Sequence, residues 1–496
     1  MNILKISDSI LPLTLGTTLL LPLLSCRGDS KADGRQQEDR PLNVLFFLVD
    51  DLRPDLGSYG NRQVVTPNID RLAKAGVVFT RAYCQQAVSN PSRASLLTGL
   101  RPDENGVTDL ETHFRDKVPN VVTLPQLFKN NGYLAAGTGK VFHALSNTVD
   151  PVSWSVPVPN YEGGNYLLPE NQTGKGKQNA TECADVHDTA YFDGKIALDA
   201  VRLLKEAKAN DQPFFVAVGF KKPHAPFCAP KKYWDIYNDT VFTITDREKP
   251  AGSPDIAFHN WQEIRGYRDI PDSGPIPPEK EQLIWNGYYA CISYIDAQVG
   301  IVMEALDSLG LLENTVIVLW GDHGYHLGEQ QSWCKSTNFE LDARVPLIIA
   351  APGLNGNGET CDAIVETLDV YPTLADLCNL SPESRLSGVS LQPLLDTPDR
   401  KWGNVAYNQF IRPYSALRSK EPTHMGYSVR TDDWRCTYWW DLATGEVVEK
   451  ELYDLRKNKI EKENLAGRSQ YAKIEKKLAG MLTDYRNGEY RIISNN

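Results

Sequence analysis

The chain has 496 residues, of which 41% are hydrophobic and 23% charged, and its formal net charge is −11. That length accommodates one large α/β domain with a smaller companion, or two or three ordinary domains. The negative balance excludes a general nucleic-acid binder, and an anionic ligand would need a local basic pocket set against the global field.

Residues 1–25 read as a leader, not as fold. "ILPLTLGTTLLLPLLSC" is an uncharged apolar run behind Lys5, too short and too interrupted by Pro for a membrane span. Its end, Leu23-Leu24-Ser25-Cys26, resembles the bacterial lipobox, which implies lipidation at Cys26 and an exported protein anchored in the periplasm or at the cell surface. The polar stretch 26–41 is then a tether. The cysteines after Cys26 show no CxxC pair and no zinc spacing. Cys361 and Cys378 form the candidate disulfide; most of the others lie in apolar segments and read as buried thiols.

"NVLFFLV" predicts a strand running into Asp50 and Asp51. "TPNIDRLAKAG" predicts a helix with Thr66 as cap and Pro67 at its first position. "VVFTRAY" is a strand. "PSRASLLTG" predicts a short helix with Pro91 first and Gly99 closing it. Ser89 then points off a helix N-terminus, where free N–H groups favour anions, or Ser89 or Asn90 serves as a cap. A helix in "TLPQLFKNNG" precedes the strand "YLAAGTG". A helix over 188–207 precedes the strand "PFFVAVGF". Ile284, Tyr288, Ile292, Ile295, Val299, Val302 and Leu306 share one face of a long helix. The strands "TVIVLWG" and "VPLIIAAP" and the helix "TLDVYPTLADLC" complete a catalytic domain over 42–384. Apolar strands alternating with helices imply a large mixed, mostly parallel sheet sandwiched by helices. From 385 to 496 short antiparallel strands and a final charged helix predict a smaller C-terminal α/β subdomain. The long irregular stretches 150–187 and 239–280 read as walls or lids.

In such folds ligands bind beyond the carboxyl ends of the strands. Asp50, Asp51, Asp322 and His323 fall there, and three carboxylates with an imidazole suit Ca²⁺ or Mg²⁺ better than zinc. Lys140 and His143 follow one strand, Lys221, Lys222 and His224 another, and Lys335 lies beyond the Asp322 turn. Together they ring one end of the sheet with cations, which suits a tetrahedral anion held with Arg93.

Ser89-x-Pro91-Ser92-Arg93-Ala94 followed by "LLTGLRP" resembles the signature of the type I sulfatases of the alkaline phosphatase superfamily. "NVLFFLVDDLRPDLGSYG", "GKVFH", "VGFKKPHAPF" and "GDHGYHLGE" fall in the same order as in that family and are most similar to its iduronate-2-sulfatase branch. The resemblance implies that Ser89 is oxidised to Cα-formylglycine. It implies that Asp50, Asp51, Asp322, His323 and the modified Ser89 hold Ca²⁺. It gives Arg93 and Lys140 the task of fixing the aldehyde hydrate, His143 that of assisting turnover, and His224 and Lys335 contact with the sulfate and its leaving oxygen. Many sulfatases carry Asn where His323 stands. A serine precursor implies maturation by an oxygen-independent radical enzyme, and hence an anaerobic bacterium. The expected activity is exo-acting removal of 2-O-sulfate from the uronic acids of heparan-, heparin- or chondroitin-type oligosaccharides. Lys221 and His424 are candidate readers of the uronate carboxylate. The alternatives are a sulfatase for another sugar position, a two-zinc phosphatase or phosphodiesterase of the same superfamily, and a non-catalytic sulfoglycan binder.

Overall fold

A computed structural model describes residues 40–143, 148–159, 161, 165–172 and 177–489. The leader, Cys26 and nearly all of the tether lie outside the described residues. Pro41 onward forms one compact unit.

Seven strands build the central sheet: β1 (Asn43–Val49), β2 (Val77–Tyr83), β3 (Leu134–Gly139), β4 (Phe214–Phe220), β5 (Thr315–Gly321), β6 (Arg344–Ala350) and β7 (Thr360–Glu366). Their order is β7-β2-β6-β5-β1-β4-β3. Every pairing is parallel except those of β6, which runs antiparallel to both β2 and β5. All seven residues of β1 are buried, so the strand reads as a continuous apolar run. Leu45, Phe47 and Val49 pack on one face, and Val44, Phe46 and Leu48 on the other. The first face is covered by α1 (Pro67–Ala75), α4 (Phe192–Ala209) and the 31-residue α5 (Pro278–Ser308). The apolar stripe from Ile284 to Leu306 is the part of α5 buried there. The second face is covered by α2 (Ser89–Thr98), α3 (Leu124–Asn130) and α6 (Val370–Leu377).

A separate four-stranded antiparallel meander follows: β8 (Ala406–Arg412), β9 (His424–Arg430), β10 (Trp434–Asp441) and β11 (Val447–Asp454). The terminal helix α7 (Ala472–Arg486) packs Leu478, Leu482 and Tyr485 against it.

Two expectations are corrected. Cys361 and Cys378 are free thiols, as are all eight described cysteines. Cys361 is packed inside β7, and Cys378 donates to the Leu42 carbonyl at 3.8 Å. Burial raises the two thiols to about 11 and about 12. Helix α2 begins at Ser89, not at Pro91. The first turn has no intrahelical use for its N–H groups, so Pro is tolerated throughout it.

Candidate active site

Strands β5, β1, β4 and β3 lie side by side and parallel, so their carboxyl ends deliver side chains to one place. Asp50 and Asp51 follow β1, Asp322 and His323 follow β5, Lys221, Lys222 and His224 follow β4, and Lys140 follows β3. Asp51 adopts φ 60°, a left-handed conformation that Asp tolerates better than most residues. This break in the strand's alternation lets neighbouring carboxylates serve one cluster. Asp322 Oδ1 accepts the N–H groups of Asp51 at 3.0 Å and His323 at 3.1 Å, binding the two strand ends together. Tyr288 of α5 buttresses the turn, donating to the Asp51 carbonyl at 2.7 Å.

Ser89 is the first residue of α2, and neither it nor Asn90 is a cap. Val88 holds the N-cap position, and no side chain caps the helix. The Asn90 amide instead donates to the carbonyls of Asp109 and Thr112, both at 2.9 Å. Ser89 Oγ donates to Asp50 Oδ1 at 2.9 Å, accepts from Lys140 Nζ at 3.2 Å and lies 3.3 Å from His323 Nε2. One turn further along, Arg93 is fully buried. Its Nε reaches Asp322 Oδ2 at 2.9 Å, its Nη2 reaches Asp50 Oδ1 at 3.2 Å, and its Nη1 donates to the carbonyls of Lys140 and Val141.

Residues 42–380 match the family model described as Sulfatase. The chain belongs to the sulfatase family. Residues 328–488 match the model described as the C-terminal part of N-sulphoglucosamine sulphohydrolase. Iduronate 2-sulfatase of Mus musculus is 35% identical over 532 residues, covering 92% of this chain and 96% of that protein. A sulfatase of Formosa agariphila is 34% identical, covering 83% of each. The structure of BT4656 in complex with its substrate D-glucosamine-2-N,6-O-disulfate has a TM-score of 0.73 and 25% identity, covering 91% of this chain and 98% of that one.

Like other sulfatases, which work with a metal ion, this one has a donor set that fits one. One ligand atom from each of Asp50, Asp51, Asp322 and His323 lies within 4.8 Å of the other three, and all four side chains are buried. Oxygen-rich donors of this kind suit a hard divalent cation. A second group, Asp51, His224 and Glu263, meets the same distance limit. There, however, Lys335 Nζ stands 2.8 Å from Asp51 and 2.8 Å from Glu263, so an ammonium already serves both carboxylates.

The electrostatics follow from burial and pairing. Burial alone would raise Asp50, but Lys140 at 2.5 Å, His224 and Arg93 outweigh it and hold the carboxyl well below its ordinary range. Burial would lower Lys335, yet Asp51, Glu263 and Asp50 raise it well above the usual lysine value. Burial, then Lys140, pushes His143 down to about 2. Its imidazole is uncharged at physiological pH, and neither ring nitrogen has a partner among the described residues. Open nitrogens of this kind face whatever binds beside them, and a bound anion would raise the ring's basicity.

The structure thus brings Ser89, Arg93, Lys140, Asp50, Asp51, Asp322, His323 and Lys335 into direct contact, with His224 at the rim. Lys221 lies over the Phe192 ring at 3.7 Å, within the fields of Lys140 and Asp50. His424 is engaged elsewhere, by Thr423 at 2.8 Å and Asp441 at 3.8 Å. Sequence reasoning missed Glu263. It comes from the irregular stretch "FHNWQEIRGY", which has no periodicity or motif to mark it.

Proposed function

We propose that the chain hydrolyses 2-O-sulfate esters at the non-reducing-end uronate, iduronate or unsaturated hexuronate, of glycosaminoglycan oligosaccharides, with Ser89 oxidised to formylglycine as nucleophile. The carrying observation is the place of Ser89: the first residue of a helix, its Oγ touching Asp50, Lys140 and His323 at once. The likeness to iduronate 2-sulfatase along nearly the whole of both chains supports the 2-O position.

A divalent cation, Ca²⁺ on this reading, held by Asp50, Asp51, Asp322 and His323 would supply Lewis acidity to the nucleophilic oxygen and to the sulfate. Lys140 and Arg93 orient the hydroxyl that attacks sulfur. His143, with no partner for its ring nitrogens among the described residues, would serve as proton acceptor for the second hydroxyl that the modified residue 89 would supply. Lys335 neutralises the sulfuryl oxygens, and His224 protonates the departing sugar oxygen. The substrate is then a sulfated oligosaccharide, and the required partner a radical enzyme that oxidises serine without oxygen. The lipobox-like run adds export and anchoring at Cys26, testable by accumulation of the uncleaved precursor under globomycin.

The test is the mass of the Ser89 peptide from an anaerobic host, with activity on a panel of site-defined sulfated disaccharides. Loss of two hydrogens and cleavage of the 2-O-sulfate are expected, and S89A should show neither. Turnover by protein with an intact serine would refute the formylglycine step; cleavage of another position would refute the 2-O assignment.

A further inference from the structure

The segment carrying Glu263 is held against the site by several independent bonds. Arg412 of β8 donates to the carbonyls of Ile256 at 2.8 Å and Ala257 at 3.0 Å, and also to that of Ser336 at 3.1 Å. One guanidinium therefore joins the Glu263 segment to the residue after Lys335. Lys177 Nζ donates to the Glu263 carbonyl at 2.7 Å. Glu263 Oε1 then lies 2.8 Å from Lys335 Nζ and 3.2 Å from His224 Nε2. A half-buried carboxylate facing an anion-binding site costs free energy unless it does something there.

The geometry of His224 says what. Its Nδ1 is 2.6 Å from the Ala225 carbonyl, which has no proton to give, so Nδ1 carries the hydrogen. Its Nε2 faces Glu263. A bare lone pair there would confront a carboxylate, so a second hydrogen on Nε2 is the arrangement that satisfies both atoms. Burial and Lys335 work against a charged imidazole and lower it below its ordinary value; Glu263, together with Asp51 and Asp50, works for it.

We infer that Glu263 is a positioning residue of the desulfation step: its carboxylate keeps a hydrogen on His224 Nε2 and aims it, while holding Lys335 beside it. This deepens the reading given under Proposed function and rests on it. As the nucleophile's hydroxyl gives its proton to Asp50, to which Ser89 Oγ already donates, its oxygen bonds to sulfur, the bond between sulfur and the sugar oxygen breaks, and that oxygen takes the Nε2 hydrogen. His224 is left neutral, with its Nδ1 hydrogen still donated to the Ala225 carbonyl, and regains a proton from solvent as Asp50 releases one. Glu263 touches neither sulfur nor the leaving oxygen.

The test separates leaving groups. An aliphatic sugar hydroxyl needs a proton to depart, whereas 4-nitrophenolate leaves unaided. Matured wild type, Glu263→Gln and Glu263→Ala, each with formylglycine verified by mass, are assayed on the sugar sulfate that wild type cleaves and on 4-nitrophenyl sulfate. For Glu263→Gln, kcat on the sugar sulfate should fall on the order of a hundredfold, within the range of proton-transfer catalysis. The aryl sulfate should change by about threefold or less, the scale of a small electrostatic perturbation. Glu263→Gln preserves shape and an acceptor for Lys335, so it guards against misfolding of the alanine variant; melting curves report that directly. Equal losses on both substrates, or no loss on the sugar ester, would overturn the inference. Wild type that cleaves no sulfate ester despite verified formylglycine would instead overturn the functional reading beneath it.

Discussion

Asp322 ties three parts of the site together. One oxygen accepts two backbone N–H groups and the other binds Arg93, so the residue orders β1, β5 and α2 at once. Removing its charge while keeping its shape isolates the electrostatic part. In wild type, Ca²⁺ at about a hundred times its dissociation constant should stabilise the fold by about 2.7 kcal/mol through linkage, raising the melting midpoint by a few degrees. Asp322→Asn retains acceptors for the two N–H groups but withholds a charge from the cluster, and its midpoint should not respond to Ca²⁺ or to chelator. An undiminished response in the variant would mean that the ion binds elsewhere.

At the scale of elements, strands β10 and β11 enclose a carboxyl group in an apolar setting. Glu451 accepts from Trp439 Nε1 at 2.8 Å and Tyr453 Oη at 2.6 Å, yet burial dominates and raises it from 4.5 to about 7. A carboxyl raised in the fold contributes stability that is fully present below pH 4.5 and is lost as pH rises through 7. That interval corresponds to about 3 kcal/mol. Glu451→Gln imitates the protonated form and should melt above wild type at pH 8.5, with the difference closing by pH 5; a gap independent of pH would contradict the assignment. The same scale shows what the residue order reveals. Strands buried on both faces announce themselves as apolar runs, and α5 through its stripe from Ile284 to Leu306. Strand β7 was missed because "TCDAIVE" is broken by Asp362, exposed at the sheet's edge. The reversal of β6 was not legible either, since an apolar run carries no direction. Likewise the acids and bases at strand ends were readable as a set, because topology gathers such ends. Glu263 was not, because its position depends on bonds from Arg412 and Lys177, far away in sequence.

At the scale of the whole molecule, the C-terminal meander is a structural partner of the site and not an appendage. The segment from Asp322 to Ala343 delivers two candidate metal ligands and Lys335, and much of its support comes from residues after 405. Asn338 donates to the Gly426 carbonyl at 3.0 Å, Gln330 to the Glu461 carbonyl at 2.9 Å, and Arg412 to Ser336 at 3.1 Å. Glu340 is clasped by Arg435 at 2.7 Å, Arg430 at 3.1 Å and Tyr83 at 2.7 Å. Without the meander, Glu340 would keep neither arginine, and a buried carboxylate stripped of its partner costs about 3–5 kcal/mol, a large part of the stability of an ordinary domain. Unfolding of β8 to β11 would also expose the apolar cluster that they bury against α7, and the catalytic half would lose its loop. A chain ending at residue 384 should therefore fail to fold, giving no cooperative melt and no Ca²⁺ response, although it contains every side chain assigned to the chemistry. The full chain from Pro41 should unfold in a single calorimetric transition. Two separate transitions, or a truncated chain with a sharp melt and intact Ca²⁺ binding, would show that the half bearing the chemistry stands alone.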